Sequence, residues 1–64
     1  MAQQTKNAIR RAFIQLLNER PLDKISIKDI AEKGAVNRNT FYYYYADIYA
    51  LVEDILQLEI QDFQ

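Results

Sequence analysis

The stretch Ser26-Ile27-Lys28-Asp29-Ile30-Ala31-Glu32-Lys33-Gly34-Ala35-Val36-Asn37-Arg38-Asn39-Thr40-Phe41-Tyr42-Tyr43-Tyr44-Tyr45 decides the fold of this 64-residue chain. It holds two helix starts on either side of the chain's single glycine. Ser26 can accept from the amide of Asp29 while the Asp29 carboxylate reaches back, a shortened capping box, and Ile27, Ile30 and Ala31 supply an apolar stripe. A short helix is therefore expected over 27–33. Gly34 stands where helices commonly close with a left-handed residue. Asn37 is a strong N-cap, and Val36 before it can staple onto Phe41, so the next helix starts at Arg38. Two short helices joined by a turn of about three residues read as a helix-turn-helix.

The second of these helices carries five consecutive aromatics, Phe41 to Tyr45. A helix buries one stripe only, so some of these rings must face water or a partner. Phe41 and Tyr45, spaced i and i+4, suit the core. Tyr42, Tyr43 and Tyr44 span too wide an arc to be equally buried. Phenol rings beside the cation Arg38 suit a polyanion. A DNA major groove about 12 Å wide admits one helix, whose first turn meets base edges while its amide dipoles face phosphates.

Outward from this unit the pattern stays helical. Ile9, Ala12, Phe13, Leu16 and Leu17 make one apolar face of a helix running roughly over 4–19, and Pro21 ends it by Arg20. Leu22 and Ile25 alternate with Asp23 and Lys24 and are expected to drop into the core. Asp47 can cap a last helix bearing Ile48, Leu51, Val52, Ile55, Leu56, Leu58, Ile60 and Phe63. That is more apolar surface than a helix at the edge of a small domain buries, so it calls for a partner. The expected fold class is all-α: a three-helix bundle containing a helix-turn-helix, plus the start of a fourth, linking helix. Ile9, Phe13, Leu16, Leu17, Leu22, Ile25, Ile27, Ile30, Val36, Phe41, Tyr45 and Leu51 are its expected core.

Composition excludes several functions. With no Cys and no His there is no disulfide, no thiolate metal site, and neither the commonest metal ligand nor the commonest general base. Carboxylates are scattered, no nucleophile sits beside a base, and no Gly-rich phosphate loop is present. The reading is of no enzyme, no catalytic residue, no metal and no cofactor. No run approaches the roughly 18 apolar residues of a membrane span, and Met1-Ala2-Gln3-Gln4-Thr5-Lys6 lacks an apolar leader core, so a soluble, cytoplasmic chain is expected. The net charge of -1 hides an asymmetry. All eight cations lie within residues 1–46 against four acids, whereas residues 47–64 carry five acids and no cation. The first part can present a basic face.

The order Ala12-Phe13, Leu16-Leu17, Leu22 through Ala31, Val36-Asn37-Arg38, Thr40-Phe41-Tyr42 and Leu51 resembles the N-terminal DNA-binding domain of the TetR family of bacterial transcriptional regulators, over roughly residues 9–56. Spacing and residue type agree over four consecutive elements. The resemblance implies a homeodomain-like DNA-binding unit in residues 1–46. Residues 47–64 would form a linking helix toward a ligand-binding and dimerisation domain absent from this chain. It implies a double-stranded DNA operator as partner, a homodimer in the full-length protein acting as repressor or, as some relatives do, as activator, and room for a small-molecule inducer in the missing domain. By position, Lys28, Arg38, Asn39 and Tyr43 match DNA base-contacting residues, and Ser26, Thr40, Tyr42 and Tyr44 match phosphate-contacting ones. Two departures stand out. The family usually has Gly immediately before the Val of the turn, where Ala35 stands here. Either Ala35 is left-handed or the turn bends one residue sooner, at Gly34. The family also often has Lys at the start of the last helix, where Ile48 stands. The competing reading is a helical protein–protein interaction module that uses the apolar face of the last helix.

Overall fold

The computed structural model describes residues 2–62, with side chains described for 4–57. Four α-helices and a short 3-10 turn make up the described chain: α1 (Ala2–Glu19), the 3-10 turn (Leu22–Lys24), α2 (Ile27–Lys33), α3 (Arg38–Tyr44) and α4 (Ile48–Asp62). The all-α class, the bounds of α2 and the start of α3 are as the caps and periodicity require. Helix α1 packs chiefly on α2, and α2 on α3.

One core holds these elements together. Ile9, Ala12, Phe13 and Leu16 of α1 meet Ile25, Ile30 of α2, Phe41 of α3, Tyr45 and Leu51 of α4. Ile27, Val36, Ile48, Val52 and Ile55 pack on its margin. Two expected core residues lie outside it: Leu17 is 43% exposed and Leu22 41%. Leu17 is the last member of its stripe and falls at the edge. The 3-10 turn, closed by Lys24 N–H to Pro21 O at 2.9 Å and Ile25 N–H to Leu22 O at 3.1 Å, turns Ile25 inward and leaves Leu22 on a rim. With Phe13, Ile14, Val52, Ile55 and Leu56 these two leucines line an apolar groove of about 190 Å³. Leu58, Ile60 and Phe63, which the sequence adds to the apolar face of α4, lie outside the described side chains.

The turn between α2 and α3 sets the angle of the two-helix unit. Gly34 keeps a right-handed φ of -86°, and Ala35 takes the left-handed position at φ 58°. Ala35 N–H donates to Glu32 O at 3.2 Å and Val36 N–H to Ala31 O at 3.0 Å, the paired closure of a Schellman end. Glycine is needed one residue earlier for a different reason. A Cβ on Gly34 would stand 3.3 Å from both Ala8 O and Ile30 O and 3.4 Å from the Ala12 Cβ, so the bare backbone is what lets α1 and α2 approach.

Candidate nucleic-acid interface

Both short helices begin on side-chain caps that fix where their first turns point. Ser26 Oγ accepts from Asp29 N–H and Asp29 Oδ2 accepts from Ser26 N–H, each at 3.1 Å, completing the capping box. The Ser26 amide first, and then the Ser26 hydroxyl, hold the Asp29 carboxyl below the usual carboxylate range, with Arg20 adding to the effect at 3.3 Å. At the head of α3, Asn37 Oδ1 accepts from Thr40 N–H at 2.9 Å and from the Thr40 hydroxyl at 3.2 Å. Asp47 caps α4 in the same way through Ala50 N–H at 2.9 Å.

Helical geometry then sorts the side chains of α3. At about 100° per residue, Arg38, Asn39, Tyr42 and Tyr43 occupy a continuous arc of roughly 140°. All four are exposed, Tyr43 the most at 81%. Thr40, Tyr44 and Phe41 share the rest of the circle, at about 200°, 240° and 300° from Arg38; Phe41 is fully buried, and Thr40 and Tyr44 are half-buried. The Tyr44 ring meets Tyr43 edge to face at 4.9 Å, and the Tyr42 ring meets Phe41 the same way at 5.8 Å. Each exposed phenol is thus propped by a ring behind it. Lys28, in the first turn of α2, and its cap Ser26 are exposed as well. Two of the residues read as phosphate contacts are more constrained than spacing suggests. Thr40 gives its hydroxyl proton to Asn37, so it must turn to meet an anion, and Tyr44 rests partly on the core.

Behind α3 lies a polar cluster that periodicity does not reveal. The Tyr45 hydroxyl donates to Asp54 Oδ2 at 2.6 Å, and Arg10 Nη1 donates to the same Asp54 oxygen at 2.9 Å and to the Tyr45 oxygen at 3.3 Å. Arg10 Nη2 donates to Asn7 Oδ1, and the Lys6 ammonium lies 5.6 Å from the centre of the Tyr45 ring. Burial, then the bond to Asp54, pushes the Tyr45 phenol up to about 12. The bond from Tyr45, aided by Arg10, holds the Asp54 carboxyl below its ordinary range. A signal did exist in the sequence: a tyrosine at a core position must bring its hydroxyl to a partner.

Among the described residues no group of three or more His, Cys, Asp or Glu could hold a metal, and no helix is long and apolar enough to cross a membrane. Residues 9–55 match the family model described as bacterial regulatory proteins, tetR family. Two curated proteins of Bacillus subtilis (strain 168) are similar. The uncharacterized HTH-type transcriptional regulator YxbF is 33% identical over 57 residues, covering 89% of this chain and 15% of the relative. The uncharacterized HTH-type transcriptional regulator YvdT is 39% identical over 49 residues, covering 77% of this chain and 25% of the relative. The chain thus spans a quarter or less of the length of these relatives. No solved structure gives a significant match. The capped two-helix unit, its closing Schellman turn and the match over 47 of 64 residues place the chain in the TetR family of bacterial transcriptional regulators, as a DNA-binding helix-turn-helix domain.

Proposed function

We propose that the chain is the reading head of a TetR-type regulator, with α3 lying in the major groove of a double-stranded operator. The observation that carries this reading is the exposed arc of α3, on which Arg38, Asn39, Tyr42 and Tyr43 stand together while Phe41 anchors the buried side. Arg38, Asn39 and Tyr43, with Lys28 from α2, take the base edges. Ser26, Thr40, Tyr42 and Tyr44 take the phosphates. Arg presents a fork that matches the O6 and N7 of guanine, and Asn one that matches the N6 and N7 of adenine. Neutral hydroxyls position the domain on the backbone without releasing counterions.

Residues 1–46 form the DNA-binding unit and residues 47–64 the link to a ligand-binding and dimerisation domain. The apolar groove lined by Ile14, Leu17, Leu22 and Leu56 favours such a neighbour, as does the greater length of both relatives. The full-length regulator would act in the cytoplasm as a homodimeric repressor, released by a small-molecule inducer bound in that further domain. A helical protein–protein module is the second reading, favoured by the same groove. Selection of binding sites from a random duplex pool separates the two. A sequence enriched by the chain, bound with an affinity that falls steeply with salt, supports the DNA reading, and failure to enrich any sequence at low salt refutes it.

A further inference from the structure

Helix α3 has seven residues and spans about 10 Å, too short to fix its own direction. Its middle is held by Phe41, whose packing is apolar and therefore tolerant of small rotations. Its end is held by Tyr45, the C-cap residue, whose N–H donates to Phe41 O at 2.9 Å and whose ring lies 5.7 Å from that of Phe41. The Tyr45 hydroxyl ends on Asp54, which Arg10 of α1 pins from the other side. Asp54 therefore joins α1, the end of α3 and α4 through one oxygen. These are directional bonds, made by a buried Tyr45 at 5% exposure and by partly buried side chains, Arg10 at 13% and Asp54 at 28%.

We propose that Asp54 is a positioning residue for DNA reading, setting the direction of α3 through the Tyr45 hydroxyl. A tilt of about 10° at the far end of a 10 Å helix moves Arg38 by nearly 2 Å, beyond the roughly 0.5 Å tolerance of a preorganised site. Single hydroxyl contacts to phosphate, one of them from Ser26 at the head of α2, survive such a tilt better than bidentate base contacts, which need two bonds aligned at once. Loss of the Asp54 acceptor thus lowers discrimination between sequences more than it lowers affinity for DNA in general. The inference rests on the DNA-reading function proposed above.

The test compares the parent chain with Tyr45→Phe, Asp54→Ala and Glu53→Ala on a duplex selected by the parent and on a random duplex. Glu53 is an exposed neighbour of Asp54 on α4, so its variant controls for the same change of charge. Tyr45→Phe and Asp54→Ala are expected to cut the ratio of selected to random affinity about tenfold, the worth of one base contact. Glu53→Ala leaves the ratio unchanged. Helix content is read alongside, and if Asp54→Ala fails to fold, Tyr45→Phe, which keeps the ring, carries the test. Equal loss on both duplexes, an unchanged ratio, or unfolding of both variants would overturn the proposal. If the parent selects no sequence, the DNA reading itself fails. If the parent selects one and the variants discriminate as well as it does, only the role of Asp54 fails.

Discussion

Ala35 occupies the left-handed position at φ 58° while Gly34, directly before it, keeps a right-handed φ of -86°. The glycine is not at the residue whose backbone needs it. Gly34 is held by the approach of α1, whose Ala8 O and Ala12 Cβ stand 3.3 and 3.4 Å from the place of a Cβ, and Ala35 bears the strain of the turn.

Two opposite outcomes follow at adjacent positions. Ala35→Gly relieves about 1 to 2 kcal/mol of left-handed strain and loses part of that to the freer unfolded chain, leaving a gain of up to about 1 kcal/mol. Gly34→Ala gains by backbone propensity but forces α1 away from α2, for a net loss of about 1 kcal/mol or more. Urea denaturation of the two variants checks both signs, and stabilisation by Gly34→Ala would show that α1 yields freely.

The two faces of α3 should differ sharply in stability effects. Phe41→Ala is expected to cost about 3 to 5 kcal/mol, a large share of what so small a domain has. Tyr43→Ala, at an exposed position, should stay within about 0.5 kcal/mol. Thermal melts followed by circular dichroism decide this. A Phe41→Ala protein that melts like the parent, with an unfolded Tyr43→Ala, would reverse the assignment of faces.

The cluster behind α3 limits stability at both ends of the pH scale. Asp54 has a folded pKa below its ordinary value of 3.8, so the folded state holds the carboxylate form. Its contribution is complete above about pH 4 and is lost as pH falls through the folded value. Tyr45 is the opposite case, raised to about 12 from 10.0. Its contribution is complete below pH 10 and is lost as pH climbs toward 12. Tyrosinate absorbance of the parent minus that of Tyr45→Phe should show one step with a midpoint near 12. Between about pH 5 and pH 3, the parent should lose more stability than Asp54→Asn does.

Tyr42 offers a cleaner probe of phosphate contact than Thr40, whose hydroxyl is already engaged with Asn37. Tyr42→Phe should lower affinity for selected and random duplexes together and leave the salt dependence almost unchanged, because a neutral donor displaces no counterion. Binding isotherms at several salt concentrations test this. Loss on the selected duplex alone, or on neither, would remove Tyr42 from the phosphate contacts.

Much of this fold could be read from local rules. Ser26, Asp29 and Asn37 cap the helices that their side chains announce, because capping depends on residues three apart and nothing distant. The i, i+4 pairing of Phe41 and Tyr45 likewise found the buried side of α3. Readings failed where the outcome depends on packing between elements. Leu17 and Leu22 look like core residues in sequence, but whether a residue at the edge of a stripe is covered depends on what lies opposite. Here they face an open groove. The strain at Ala35 was visible only as two alternatives, since choosing between them needs the distance from Gly34 to α1. The Arg10–Tyr45–Asp54 cluster joins residues up to 44 positions apart, which no local pattern can pair.

The central claim is that the exposed arc of α3 reads bases, and Arg38→Ala tests it most directly. On a duplex selected by the parent and on a random duplex, each titrated at several salt concentrations, Arg38→Ala should lose about 1 to 3 kcal/mol of discrimination with little change in random-duplex affinity or salt slope. Equal weakening on both duplexes with a shallower salt slope would make Arg38 a phosphate contact, and undiminished discrimination would contradict the account.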